Sequence, residues 1–208
     1  LSQRAAWSVS WAAKKKPAAL HGKRFPNESA GYRGARNALL KAEMDLRREI
    51  ERVAALRRKL PAGGAIPKDY VFEEMTADGQ TRRVKLSELF GNKSTLIVYG
   101  FMYGPKMEKA CPSCSSIIDA LDHESKHISQ RTSLVAVAKS PAERVERLRR
   151  ERGWNGIRFL SSANNSYNRD YFTEDEKENQ RPILNVFVRK NGTVQHVYAR
   201  ERAWATAE

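Results

Sequence analysis

Cysteine is scarce in this chain: 208 residues hold two, Cys111 and Cys114, separated by Pro112 and Ser113. So few cysteines exclude a disulfide-stapled secreted scaffold, so the fold must rest on a hydrophobic core. Long apolar runs are also missing. None approaches the roughly 20 residues that span a bilayer, which reads as a soluble, cytoplasmic chain with no membrane partner. No glycine-rich phosphate-binding fingerprint occurs, so no nucleotide or flavin is implied and no cofactor is expected. Acidic residues are absent from the first 27 positions, which include Lys14, Lys15 and Lys16. Arg, Ser and Ala without acids resemble an organelle transit peptide in composition, but the continuous apolar core of a signal peptide is lacking. Residues 1–28 are read as a basic tail.

The net charge of +14 is uneven. Residues 1–70 carry 16 Lys/Arg against 6 Asp/Glu, and the remainder carries 22 against 18. Such asymmetry marks either an arm for a polyanion or a solvated Arg-rich helix. The stretch after the tail favours the second. Leu39, Ala42, Leu46, Ile50, Val53, Leu56 and Leu60 recur at three- and four-residue steps, which predicts a helix over Tyr32–Leu60. Pro61 and the Gly63-Gly64 pair stop it. At 1.5 Å per residue it would be about 43 Å long, with a narrow apolar stripe suited to packing along a domain or to pairing with a second copy in a homodimer. Its Arg47, Arg48, Arg52, Arg57 and Arg58 have no interleaved aromatics to stack on bases, so nucleic acid is not an expected partner.

The region from 65 to 208 reads as one domain behind a helical segment at 29–64. Asp78-Gly79 signals a turn, and Val84–Phe90 reads as a strand end running into a short helix. Ser94–Phe101 is rich in β-branched and aromatic residues and predicts a buried strand. The two cysteines follow, and then Ile117, Ile118, Leu121 and Ile128 share one helical face with Cys114. Thr132–Ala138 predicts a second buried strand. Ser140-Pro141-Ala142-Glu143 resembles a capping box at the start of a helix that ends at Gly153. Ile157–Leu160 is a third strand. Ser161–Gln180 is polar and reads as a long loop. Ile183–Arg189 and Thr193–Tyr198 flank Lys190-Asn191-Gly192, a hairpin signature. Alternating β and α units imply parallel strands, closed by an antiparallel edge. This α/β order, with Cys-X-X-Cys at a strand-to-helix junction, predicts a thioredoxin-like fold: a central mixed sheet with flanking helices. Pro182 then falls where such folds carry a cis-proline beside the cysteines.

The segments YRGARNALLKAEMDLRREIERVAALRRKLPAGG, DYVFE, FMYGPKMEKACPSCS, VAVAKSPAERV, RERGW, SSANNSYNRDY and LNVFVRKNG together resemble a largely bacterial thioredoxin-like family of the peroxiredoxin/thioredoxin superfamily, catalogued as a domain of unknown function. The resemblance spans Phe25 to Tyr198. It implies a thioredoxin-like fold and a Cys-Pro-X-Cys site at Cys111 and Cys114, without implying a known reaction. Family members continue past the last strand into a further segment, whereas here Ala-Arg-Glu-Arg-Ala-Trp leads to Glu208. Residues 1–20 have no counterpart in the family.

Thiol–disulfide chemistry is the leading expectation, with a protein or small-molecule thiol or disulfide as substrate. Cys111 would sit at a helix N-terminus, where the dipole and unpaired amides favour thiolate. Cys114, one turn on, would resolve the mixed disulfide. Lys106 and Lys109 could add positive charge. Pro182, Tyr167, Asn168 and Arg169 are candidate substrate contacts, with Arg169 suited to an anion or carboxylate. The alternative is a non-catalytic binding module acting through the basic helix. A third reading is a zinc hydrolase, because His123-Glu124-Ser125-Lys126-His127 matches HExxH, with Glu143 or Glu146 as third ligand. Helical geometry argues against it, placing both histidines opposite the apolar face, and no metal is expected. Trp154 is expected in the core, and His196 is expected to be structural.

Overall fold

The computed structural model describes residues 20–200, so most of the basic tail lies outside the described residues. The chain divides into two compact units, with the boundary between Leu60 and Pro61.

The first unit is built on α1 (Ala30–Arg58). Ser29 caps it, its Oγ accepting the Tyr32 amide at 3.1 Å and so satisfying one of the helix's orphan donors. Arg33 donates two hydrogen bonds to the Glu28 carboxylate, from Nε at 2.6 Å and from Nη2. Along the helix Arg47 pairs with Glu51, Arg48 with Asp45 and Arg52 with Glu49. Each of the three guanidinium groups thus has a carboxylate partner within the helix. Leu39, Leu46, Ile50, Leu56 and Leu60 are exposed.

The second unit is a seven-stranded mixed sheet in the order β2-β1-β5-β4-β3-β6-β7. Its strands are β1 (Val71–Met75), β2 (Thr81–Lys85), β3 (Thr95–Gly100), β4 (Ser133–Ala138), β5 (Arg158–Ser161), β6 (Leu184–Lys190) and β7 (Thr193–Ala199). The β3, β4 and β5 core is parallel, and an antiparallel hairpin closes each edge. The β6–β7 hairpin is explicit in the sequence. Its Asn191 and Gly192 adopt φ of 50° and 77°, the left-handed pair that a two-residue hairpin turn needs. A 3-10 turn, Leu86–Glu88, follows β2.

Alternation along β3 and β4 divides the core in two. Leu96, Val98, Val135 and Val137 face one cluster with Phe72, Phe90, Tyr167 and Phe187. Tyr99, Ala136 and Ala138 face the other, where α2 (Pro112–Ile128) and α3 (Ala142–Arg152) contribute Cys114, Ile118 and Val145. Trp154 stacks on Phe159 there, with ring centroids 5.2 Å apart, and its indole N–H donates to Asp119 at 2.7 Å.

Two local expectations are corrected. The helix after β4 begins at Ala142 with Pro141 as its cap, and no side-chain capping bond forms. Ser140 is instead fully buried, its carbonyl accepting the Ser161 hydroxyl at 2.7 Å. The polar stretch after β5 contains a short helix, α4 (Tyr167–Asp170), because Tyr167 is anchored in the core.

Candidate redox site

The site begins where β3 ends. The Gly100 amide donates to the Ile183 carbonyl at 2.7 Å, and the Phe101 amide to Val137 at 2.8 Å. Past this point the chain leaves the sheet, crosses Met102–Ala110 and enters α2 with Cys111 as N-cap. Pro112 occupies the first helical turn, where its missing N–H costs nothing. The Cys111 amide donates back to the Met102 carbonyl at 3.1 Å, and the Cys111 carbonyl accepts both the amide and the hydroxyl of Ser115, at 3.0 and 3.1 Å. The backbone on either side of the thiol is therefore fixed.

Both cysteines are free thiols, and their environments push them apart. Burial opposes ionisation of Cys111, but the amide and thiol of Cys114 and the amide of Ser113 outweigh it and hold the Cys111 thiol below its ordinary range. Cys114 is deeper, at 1% exposure. Burial pushes its thiol up, opposed by the Tyr99 hydroxyl and the Met102 amide and reinforced by Cys111. A half-buried thiol held low, followed one turn later by a buried thiol pushed up, is an arrangement compatible with dithiol chemistry.

Arg144, in the first turn of α3, fixes the approach to the pair. Its guanidinium donates to the carbonyls of Gly104 at 3.2 Å, Pro105 at 3.4 Å, Glu108 at 3.0 Å and Met107, and lies 4.3 Å over the Tyr103 ring. The Arg144 role was not legible, since Glu143-Arg144-Val145 reads as ordinary helix surface. Gln180 packs so closely on Gly104 that a Cβ there would lie 2.8 Å from its side chain. The Gln180 side-chain oxygen accepts from Asn168 at 3.1 Å, and Asn168 accepts from the Ser162 hydroxyl at 2.6 Å.

The expected contact residues are therefore dispersed. Tyr167 is fully buried and packs against Tyr70, Phe72 and Tyr171. Asn168 is buried too and reaches the loop only through Gln180. Neither has surface for a substrate: Tyr167 belongs to the core cluster opposite the cysteines, and Asn168 only braces Gln180. Arg169 is exposed on a cavity of about 580 Å³ that also has Lys68, Arg83 and Glu73 in its walls. A second cavity of about 370 Å³ has Met102, Pro105 and Met107 on one side and Asn179 and Gln180 on the other, with Lys139 and Glu174 bordering both cavities. Pro182 is exposed immediately before Ile183, beside the end of β3. Its peptide bond is trans, and no cis bond occurs among the described residues.

Lys106 is committed to an ion pair with Glu178, and Lys109 is exposed. His123, Glu124 and His127 are exposed on α2, Glu146 is taken by Arg149 and Arg150, and among the described residues no three His, Cys, Asp or Glu side chains are grouped to hold a metal ion. His196 meets the side chain of Asn185 at 3.0 Å. No helix among the described residues is long and apolar enough to cross a membrane.

The parallel β3–β4–β5 core, the closing antiparallel strands and α2 starting at the end of β3 define a thioredoxin-like fold. The chain belongs to the family described as bacterial protein of unknown function (DUF899), whose profile matches residues 23–205. Among solved structures, it is similar to reduced Prx3 in complex with hydrogen peroxide from Vibrio vulnificus, with a TM-score of 0.52 at 14% identity over 72% of this chain and 92% of that one. It is also similar to a cysteine-to-serine mutant of PrxQ from Xylella fastidiosa, with a TM-score of 0.51 at 12% identity over 67% and 84%. At these identities the likeness is one of fold. No curated protein matches the sequence.

Proposed function

We propose that this protein carries out thiol-dependent redox chemistry, with Cys111 as the attacking thiolate and Cys114 as the resolving thiol. The observation that carries the reading is the placement of the two thiols, Cys111 half-buried as the N-cap of α2 and Cys114 buried one turn on, with the first lowered and the second raised accordingly. The Cys111 thiolate attacks one sulfur of a substrate disulfide. A Cys111–substrate S–S bond forms, the substrate's own S–S bond breaks, and the departing thiolate takes a proton. Cys114 then gives up its proton and attacks the Cys111 sulfur. The intramolecular disulfide forms and the second substrate thiol is released, so two electrons pass from the dithiol to the substrate.

In this reading Pro182, exposed beside the end of β3, meets the substrate backbone, and Arg169, exposed on the larger cavity, takes a carboxylate. A hydroperoxide is a second oxidant compatible with this thiolate, since one solved structure of similar fold is described in complex with hydrogen peroxide. Attack on its O–O bond would leave a Cys111 sulfenic acid and, once the departing oxygen takes a proton, release water or an alcohol. Cys114 would then displace water from that sulfenic acid.

Iodoacetamide labelling of Cys111 across pH, followed by mild oxidation and mass analysis, tests the reading. Half-maximal labelling below the free value of about 8.5 and a loss of two hydrogens between Cys111 and Cys114 are expected. Labelling centred at or above that value, with no intramolecular disulfide, overturns it.

A further inference from the structure

We infer that Tyr99 is a catalytic residue of the resolving step, its hydroxyl held as an unused hydrogen-bond donor beside the Cys114 sulfur until that sulfur becomes a thiolate. The inference rests on the redox reading above and adds to it a group outside the Cys-X-X-Cys segment.

Tyr99 lies on β3 behind α2, in the same apolar cluster as Cys114 and with Cys111 packed against that cluster. Its side chain is 4% exposed, and its hydroxyl oxygen is buried with no hydrogen-bond partner among the described residues. Buried tyrosine hydroxyls ordinarily find a partner, so this one calls for an explanation. The Cys114 sulfur lies beside it, close enough that each group influences the other's ionisation. A neutral thiol is a weak acceptor, and no well-formed bond exists in the dithiol state. A thiolate is a strong one, because charge assistance strengthens the hydrogen bond. Ionisation of Cys114 therefore supplies the acceptor that the phenol lacks. The donor is already in place and already desolvated, which is how preorganised groups favour a charge that develops during reaction.

The other groups around this hydroxyl agree with a donor role. Burial, and then the two cysteines, push the Tyr99 phenol far above its ordinary value, with Arg200 opposing weakly. It keeps its proton at any physiological pH and cannot serve as the base. The Met102 amide also points at Cys114, so the nascent thiolate would accept from two donors, one backbone and one phenolic. In the balanced step the Cys114 proton leaves for solvent and the thiolate takes up the Tyr99 hydrogen bond. Its electron pair forms the S–S bond to Cys111 as the substrate sulfur departs, and Tyr99 loses its acceptor again.

Tyr99→Phe removes only the hydroxyl. One equivalent of 2,2′-dipyridyl disulfide releases a pyridinethione when Cys111 forms the mixed disulfide and a second when Cys114 resolves it, so both steps are read on the same trace. The expected result is an unchanged first phase, a second phase slower by roughly tenfold and a pH midpoint of that phase moved upward. Thermal stability should be equal or higher, because an unpaired buried hydroxyl has been removed. A merely structural Tyr99 would slow neither phase at unchanged stability. A second phase with wild-type rate and pH midpoint overturns the inference while leaving the redox reading intact. Absence of a first phase in the wild-type protein overturns the redox reading, and with it the role of Tyr99.

Discussion

The Arg144 guanidinium lies 4.3 Å from the centroid of the Tyr103 ring while its N–H groups hold four carbonyls of the loop that leads to Cys111. One helix side chain thereby fixes the path from β3 to α2. The loop has few backbone bonds of its own, chiefly Met107 to Gly104 at 3.1 Å and Cys111 to Met102, so its shape depends on α3.

Arg144→Ala should therefore cost about 2–3 kcal/mol in urea unfolding, the scale of hydrogen bonds to a charged donor. It should also move the Cys111 labelling midpoint upward, since the loop leading into α2, whose first-turn Ser113 and Cys114 amides favour the thiolate, loses its anchor. Arg144→Lys should recover only part of both effects, because an ammonium lacks the planar fork that spans several carbonyls. Equal labelling midpoints in all three proteins would show that the clamp matters to stability alone.

The two thiols should be chemically distinct. In Cys114→Ser, a mixed disulfide between Cys111 and dipyridyl disulfide should form at the wild-type rate and persist, because the resolving sulfur is gone. In Cys111→Ser, the remaining Cys114 should resist iodoacetamide at neutral pH, being buried with its thiol pushed up. Labelling of Cys114 at the rate of a free thiol would contradict the assignment.

Acid should weaken the edge of the sheet through Glu74. Burial raises this carboxyl, but hydrogen bonds from Arg158 at 2.5 and 2.6 Å and from Arg82 at 2.6 and 2.8 Å outweigh it and hold the group below the usual carboxylate range. With the folded value below the unfolded one of about 4.3, its stabilisation is fully present above that pH. It is lost as pH falls through the lower folded value. Glu74→Gln should be less stable than wild type by about 2–3 kcal/mol at neutral pH, and the gap should close as acid titrates the wild-type carboxylate. A gap that stays constant down to pH 2 would mean that the pair contributes through shape and not through charge.

The exposed stripe of α1 provides a test of self-association. If Leu46 and Ile50 pair with a second copy, light scattering should give a dimer mass that falls on dilution, and Leu46→Glu with Ile50→Glu should give a monomer at all concentrations. The same mass for both proteins would remove the helix from the list of interfaces.

The sequence by itself determined the order of strands and long helices from β3 onward. Its strands announce themselves as β-branched and aromatic runs, the β6–β7 turn as Asn191-Gly192, and the end of α3 as Gly153, at φ of 70°. Cys111 at the start of a helix was legible for the same reason, since strand, proline and helical periodicity are all local. What lay beyond reading was whatever depends on which residues meet. Tyr167 sits in a polar stretch and looks like a surface group, yet the sheet face of Phe72 and Phe187 receives its ring. The leading hairpin β1–β2 has charged residues at Glu73, Glu74, Arg82 and Arg83, and no local pattern announces that Glu74 is buried against Arg158 from β5. Arg144 and Tyr99 carried no local signal at all, as one is a charge in a charged helix and the other an aromatic in a buried strand. Packing of α2 and α3 on the face bearing Ala136 and Ala138 gave Arg144 the loop to hold, and brought Tyr99 against Cys114. The dithiol was written in four consecutive residues, but its surroundings were decided by contacts between segments far apart in the chain.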